Sequence, residues 1–136
     1  ELGVKGHLMV LFSIMIQRMP KQAEPPADDK NIQKLKTVLL RIEQDYDKKL
    51  TVAAMADECG YSASHFMRWF RDAAGSGFVS YLIEYRLGKA AMALRDTDDT
   101  ILKISEACGF DNLSNFNRLF KKKFDMTPGQ FRRQDP

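Results

Sequence analysis

An internal repeat constrains this chain more than any other feature of its sequence. The segment Leu50–Tyr61 aligns without gaps with Asp99–Phe110, 49 residues further on. One residue is then inserted in the second copy, and the alignment resumes at an offset of 50. The matched pairs after the insertion are Phe66 with Phe116, Arg68 with Arg118, Phe70 with Phe120, and Arg71 with Lys121. Agreement in both register and residue type indicates a duplicated structural unit.

Each copy has the pattern of two helices joined by a tight turn. Ala56 and Ser105 provide the small residue that two closely crossing helices need. Gly60 and Gly109 follow four positions later, where the chain must turn through a positive φ that only glycine adopts cheaply. The candidate N-caps are Thr51 for a helix over Val52–Glu58, Ser62 for the second helix of copy one, and Asp111 or Asn112 for that of copy two. The repeat therefore predicts a helix-turn-helix in each copy.

The second helix of each copy separates apolar and polar residues onto two faces. The predicted inward residues are Phe66, Trp69, Phe70 and Ala73 in the first copy and Phe116, Leu119, Phe120 and Phe124 in the second. The predicted outward residues are Ser64, Met67, Arg68 and Arg71 in the first copy and Ser114, Asn117, Arg118 and Lys121 in the second. The aromatic residues follow the buried stripe, so they belong to the core. The outward face suits a major groove, because arginine pairs bidentately with guanine and asparagine with adenine.

A single helix over 79–95 is predicted to join the two copies. Its apolar residues form two stripes, and a helix that is apolar on two sides is held between two packed units. The stripes are Phe78, Tyr81, Leu82, Tyr85 and Met92 on one side and Leu87, Ala90, Ala91 and Leu94 on the other. Such a helix is about 25 Å long, and successive major grooves on one side of DNA are ~34 Å apart. One chain could therefore present two recognition helices to adjacent grooves.

The residues before the first copy divide into three parts. The apolar run at 8–16 is too short for a membrane span, which needs about 20 residues, and predicts a short N-terminal helix. The polar segment at 21–29 has the composition of a linker, and Asp28 or Asp29 could cap the helix that follows. Apolar residues at intervals of three and four then predict one helix face. These residues are Ile32, Leu35, Val38, Leu39, Ile42 and Tyr46.

No segment shows the alternation typical of a strand. The sequence predicts an all-α, homeodomain-like fold of about seven helices, in which a long linker helix joins two helix-turn-helix subdomains, with an extra N-terminal helix. The predicted divisions are an apolar helix in 1–20, a linker at 21–29, a first subdomain at 30–78, the linker helix at 79–95 and a second subdomain at 96–136.

The charge of the chain is unevenly distributed. The net charge is +3 overall, with 44% hydrophobic and 29% charged residues, values typical of a globular domain and unlike those of a disordered or multi-span membrane protein. Residues 100–136 carry a local charge of +3 and residues 50–78 a local charge of −1. Because phosphate contacts dominate affinity for DNA, the second copy is expected to anchor more strongly. Lys121–Lys123 could contact phosphates or form an ordinary solvated face.

Two other function classes compete with DNA binding. A protein-interaction module is the main alternative, since Met67 and Leu113 are apolar at outward positions. An enzyme would need a nucleophile such as Cys59 with His65, but no orienting partner is evident. Cys59 and Cys108 are too few for a disulfide scaffold and lack metal-ligand spacing. No metal, cofactor or catalytic activity is therefore predicted.

The segment Ile104–Arg132 resembles the DNA-binding domain of the AraC/XylS family of bacterial transcription regulators. The matching residues are Gly109-Phe110, Phe116, Arg118, Phe120-Lys121-Lys122, Thr127-Pro128 and Phe131-Arg132. The resemblance covers about residues 30–133. Asp125 stands where the family usually has glycine, which bears on how that helix ends, and Ser105 stands where it usually has alanine.

The resemblance implies a cytoplasmic transcription factor that binds double-stranded DNA, most often an activator that also contacts RNA polymerase. The implied readout positions are Ala63, Ser64, Met67 and Arg68 in the first copy and Asn112, Leu113, Ser114, Asn117 and Arg118 in the second. Arg71, Lys121 and Lys122 complete the predicted DNA-binding set. Family members usually carry a further domain that binds an effector or dimerises. Val4–Met19 is expected to be the last helix of such a domain.

Overall fold

The computed structural model describes residues 26–134, in which all regular secondary structure is helical. Seven helices follow one another in this range: α1 Pro26–Asp45, α2 Val52–Cys59, α3 Ala63–Ala74, α4 Phe78–Asp96, α5 Ile101–Ala107, α6 Leu113–Phe124 and α7 Pro128–Arg133. The predicted all-α fold with two helix-turn-helix units, α2–α3 and α5–α6, is confirmed. The predicted helix within 1–20 lies outside the described residues.

Helix α1 begins earlier than the sequence suggests. It starts at Pro26, inside the segment predicted to be a linker, so Asp28 and Asp29 lie within its first turn and neither is its N-cap. Proline is well tolerated in a first helical turn, because its missing N–H has no intrahelical partner to lose there. The predicted apolar face is confirmed further along, where Leu35, Val38, Leu39 and Ile42 are buried.

Each helix-turn-helix has a core of its own. The first core joins α1, α2, α3 and the start of α4, and its largest fully buried side chains include Phe66, Phe70 and Met55. The second core joins the end of α4 with α5, α6 and α7, around Phe116, Phe120 and Ile104. The inward aromatic residues predicted for the two second helices thus pack in two separate cores.

The linker helix α4 divides its apolar residues by position along its axis. Phe78 and Leu82 are buried in the first core, whereas Leu87, Ala90, Ala91 and Leu94 are buried in the second. Met92, predicted to share a stripe with Phe78, packs against the second core instead. The reason is distance, since 14 residues at 1.5 Å each place Met92 about 20 Å along the helix from Phe78. The helix extends one residue beyond 79–95 at each end.

Helices α3 and α6 end in the same way with different residues. Gly75 caps α3 with φ +88°, and Asp125 caps α6 with φ +62°, both in the left-handed region. In each case the backbone N–H of the cap donates to the carbonyl four residues earlier, that of Arg71 or Lys121. Asp125, which stands where the family usually has glycine, therefore preserves the geometry of the helix end. It does so by adopting a left-handed backbone conformation that is unfavourable for a residue other than glycine.

Replacing Asp125 by glycine is expected to raise the free energy of unfolding by about 0.5–1 kcal/mol, because glycine relieves the left-handed strain and removes a negative charge from the C-terminal end of α6. Urea denaturation followed by circular dichroism measures the change. The reciprocal Gly75→Asp variant is the matched control and is expected to lower stability. A loss of stability in Asp125→Gly would contradict the prediction.

Candidate nucleic-acid interface

The turns of the two helix-turn-helix units use the same hydrogen bonds. Gly60 and Gly109 have φ values of +76° and +95°, as their predicted role requires. The N–H of each glycine donates to the carbonyl three residues earlier, and the next N–H, of Tyr61 or Phe110, donates to the carbonyl of Ala56 or Ser105 at 2.9 Å. This pair of bonds ends the first helix of each unit and starts the chain toward the second.

The N-caps of α3 and α6 also correspond. The hydroxyl of Ser62 accepts from the backbone N–H of His65 at 3.1 Å, and the side-chain oxygen of Asn112 accepts from that of Asn115 at 2.8 Å. Of the two candidates for the second cap, Asn112 is therefore the one used, and Asp111 is the inserted residue. The insertion lengthens the turn of the second unit by one residue, and the alignment of the two copies resumes at the N-cap of α6.

The predicted DNA-binding residues all lie on the exposed faces of α3 and α6 or at the N-cap of α6. Their side chains are exposed: Ala63, Ser64, Met67, Arg68 and Arg71 in the first unit, and Asn112, Leu113, Ser114, Asn117, Arg118, Lys121 and Lys122 in the second. The inward residues on the same helices are buried or half-buried. Each unit therefore presents one continuous polar and cationic helix face to solvent.

One residue of this face was not anticipated from the sequence. Asn115 is exposed in the first turn of α6, and its side-chain oxygen accepts a hydrogen bond from the guanidinium of Arg118. The spacing of three residues along a helix could have suggested this pair. The aligned residue in α3 is His65, whose ring packs on Tyr61 with ring centres 4.2 Å apart. Arg118 is thus oriented by a neighbour that has no counterpart beside Arg68.

Lys123 differs from the two lysines before it. Its ammonium forms an ion pair with Glu84 of the linker helix at 2.7 Å, and its side chain is only 13% exposed. Lys121 and Lys122 are exposed. Of the predicted lysine run, only the first two face solvent together with Arg118.

The cysteines show no feature of a reactive site. Burial raises the pKa of the Cys108 thiol to about 11 and also raises that of Cys59. Both shifts favour the protonated thiol, which is the poorer nucleophile and metal ligand. Within residues 26–134, no three His, Cys, Asp or Glu side chains are grouped as metal ligands. Within the same range, no helix has the length and apolar character needed to cross a membrane.

Comparison with known proteins gives consistent matches. A family model described as a helix-turn-helix domain matches residues 47–134. The Tn10 transposon protein TetD of Escherichia coli is 40% identical over 99 residues, which are 73% of this chain and 72% of that protein. The probable transcription factor PqrA of Proteus vulgaris is 34% identical over 68% of this chain and 76% of its own length.

A third relative is much longer than the matched region. The transcriptional regulator Rob of Salmonella typhimurium is 37% identical over 99 residues, but these make up only 34% of that regulator.

Two solved structures have a similar fold. An AraC-type transcriptional regulator from Chromobacterium violaceum superposes with a TM-score of 0.69 at 28% identity, over 75% of this chain and 91% of that one. The DNA-binding domain of the global transcriptional factor AdpA, solved in complex with a target DNA, gives a TM-score of 0.69 over 74% of this chain and 90% of its own. At 23% identity, the second likeness concerns the fold alone.

Proposed function

The chain belongs to the AraC family of helix-turn-helix transcription regulators, and we propose that it binds specific double-stranded DNA sequences by placing α3 and α6 in adjacent major grooves. The observation that carries this proposal is the equivalence of the two helices. They share their turn, cap and core geometry, and each exposes an arginine at the same position, Arg68 or Arg118. A single linker helix holds both units.

The exposed side chains divide by the contacts that their chemistry allows. Arg68 and Arg118 suit bidentate pairing with guanine, and Asn117 suits adenine. Met67, 50% exposed, and Leu113, 37% exposed, suit apolar contact with the methyl group of thymine. Phosphate contacts come from Arg71, Lys121 and Lys122, and they position the helices without reading sequence.

The two units are proposed to differ in how strongly they bind the phosphate backbone of the DNA. The face of α6 carries three exposed cationic groups, Arg118, Lys121 and Lys122, against Arg68 and Arg71 on α3. Because phosphate neutralisation provides most of the affinity, α6 anchors the complex and α3 adds to its specificity.

At the level of transcription, we propose an activator that contacts RNA polymerase in the bacterial cytoplasm. The relatives named as regulators or transcription factors support a role in transcription. Dimerisation through a further domain is proposed only for a longer form of the chain. The test uses a reporter gene whose promoter carries a DNA site that this chain selects from a random pool. Expression of the chain should raise transcription of the reporter, and a fall in transcription would reject the activator role.

The binding proposal is tested by salt titration on a duplex selected from a random pool with this chain. The logarithm of the binding constant is expected to fall linearly with the logarithm of the salt concentration. Lys121→Ala or Lys122→Ala should each make the slope less steep by about 1. Lys123→Ala is the matched control and should leave the slope nearly unchanged, because its ammonium is already paired with Glu84. A salt-independent signal, or no recovered duplex, would reject DNA binding.

Protein interaction through the same faces is the second candidate, and the exposure of Met67 and Leu113 is what favours it. A pull-down carried out with and without nuclease distinguishes DNA binding from protein interaction. Partners that survive nuclease treatment and are lost in Met67→Ser would favour the interaction module.

A further inference from the structure

Arg86 lies where the linker helix passes from one core to the other. Leu82 is buried in the first core and Leu87 in the second, so the segment between them crosses the junction. The Nε group of Arg86 donates to the carbonyl of Tyr46 at 2.6 Å, and its Nη2 group donates to that of Lys48 at 2.8 Å. Both carbonyls lie just beyond the end of α1, in the first subdomain.

The turn of the second helix-turn-helix packs directly on this contact. A Cβ atom at Gly109 would lie 2.9 Å from the Arg86 Nε and 2.9 Å from the Tyr46 carbonyl oxygen. At the equivalent Gly60, a Cβ atom would meet no atom within 4 Å. The two glycines have the same backbone role, but only Gly109 is also needed for close packing between the subdomains.

Side chains from both subdomains surround this contact. The side chain of Tyr46 packs against both cores, and its ring lies 5.4 Å from that of Tyr85 on the linker helix. Burial lowers the pKa of the Arg86 guanidinium, and Asp111 and Asp47, one from each subdomain, partly oppose this shift by favouring the charged form. The contact therefore ties three parts of the chain together: the end of α1, the middle of α4 and the turn before α6.

We propose that Arg86 is a positioning residue that fixes the direction of α6 relative to α3, and so sets the spacing between the two DNA segments that the chain reads. The inference rests on the proposed function. The two hydrogen bonds of Arg86 join α4, at its crossing between the cores, to the chain just beyond the end of α1. Arginine fits the role because its planar fork donates to two acceptors at once, which the ammonium of lysine does in a less fixed geometry.

A fixed orientation affects two-segment binding in a specific way. Once one helix has bound, the second binds at an effective concentration that depends on how well the linkage matches the site. Adding one base pair between the segments displaces the second segment by about a tenth of a helical turn. A rigid junction penalises that displacement, whereas a loosened junction tolerates it and loses affinity at the best spacing.

The experiment compares four variants on duplexes derived from the site selected with the unaltered chain. One duplex keeps both segments, one has a scrambled α3 segment, and two change the spacing by one base pair in either direction. The variants are Arg86→Ala, Arg86→Lys, Gly109→Ala and Gly60→Ala. Thermal denaturation identifies the temperature at which all four remain folded, and binding is measured there by fluorescence anisotropy.

Arg86→Ala and Gly109→Ala are expected to weaken binding to the two-segment duplex by roughly tenfold, which corresponds to 1.4 kcal/mol. They should leave the affinity for the single-segment duplex unchanged and reduce the penalty for altered spacing. Arg86→Lys should fall between these variants and the unaltered chain. Gly60→Ala, which carries the same left-handed strain without touching Arg86, should keep the full spacing penalty. An undiminished spacing penalty in Arg86→Ala, or an equal loss on both kinds of duplex, would overturn the inference.

A measurement without DNA separates this inference from the proposed function. Residual dipolar couplings give an alignment tensor for each subdomain, and the two should agree in the unaltered chain and differ in Arg86→Ala. Equal tensors in Arg86→Ala would reject the brace even if DNA binding is established. If no duplex is recovered but the tensors separate, the proposed function fails and the bracing role of Arg86 is supported.

Discussion

Replacing Phe120 by alanine is expected to lower the free energy of unfolding by about 3–5 kcal/mol. Its side chain is fully buried in the second core, and its ring lies 4.5 Å from that of Phe124 and 5.4 Å from that of Phe131, measured between centres. Truncation removes contacts between α6 and α7 and leaves a cavity that the surrounding helices fill only in part. Urea denaturation followed by circular dichroism measures the loss.

Leu102→Ala is the control for Phe120→Ala. Leu102 lies on α5 with 49% of its surface exposed, so its truncation is expected to change stability by less than about 0.5 kcal/mol. A loss below about 1 kcal/mol in Phe120→Ala would mean that α6 is not held by this core. Because α6 carries the larger cationic face, Phe120→Ala should also weaken DNA binding once a fraction of the chain is unfolded.

The second large effect is expected at the two equivalent arginines. Arg68→Ala and Arg118→Ala should each weaken binding to the selected duplex by about 1–3 kcal/mol, because each removes a bidentate donor to a base. The loss should be concentrated at one base pair of the site for each variant. A panel of duplexes with single base-pair changes measures this, since a variant that has lost a base contact no longer discriminates at that pair.

Lys103→Ala is the control for charge. Lys103 is exposed on α5 and pairs with Asp99 at 3.5 Å, so its replacement removes one positive charge away from the recognition helices. It should leave discrimination at every base pair intact. If both arginine variants bind with unchanged affinity, α3 and α6 are not the reading helices and the proposed function is wrong.

Much of the fold could be predicted because the local signals agree with one another. Thr51 and Ser62 are N-caps as predicted, Gly60 and Gly109 take the left-handed conformation, and the buried aromatic residues follow the helical period. Each of these features depends on a few neighbouring residues, and the repeat shows the same pattern twice. The exposure of the predicted DNA-binding face follows from the same periodicity.

Other features could not be predicted because they depend on contacts between distant segments. The sequence does not indicate that Lys123 pairs with Glu84, 39 residues away, while Lys121 and Lys122 face solvent. Asp111 and Asn112 are equally good caps, and only the geometry of the turn selects Asn112. Met92 is predicted to share a stripe with Phe78, yet it packs against the second core. Periodicity gives the side of a helix, whereas the position along the axis decides which core a residue joins.

The amino-acid sequence alone shows that two helix-turn-helix units follow one another and which side chains their second helices expose. It also places the N-cap of α3 at Ser62 and that of α6 at Asp111 or Asn112. Helical period, capping and the turn glycines are local properties, so they can be read from the order of residues. How the two units are joined depends on contacts between segments that meet only in the folded chain. Arg86 contacts the carbonyls of Tyr46 and Lys48, which lie 40 and 38 residues before it, and the turn at Gly109, which lies 23 residues after it. No local pattern specifies that these segments meet.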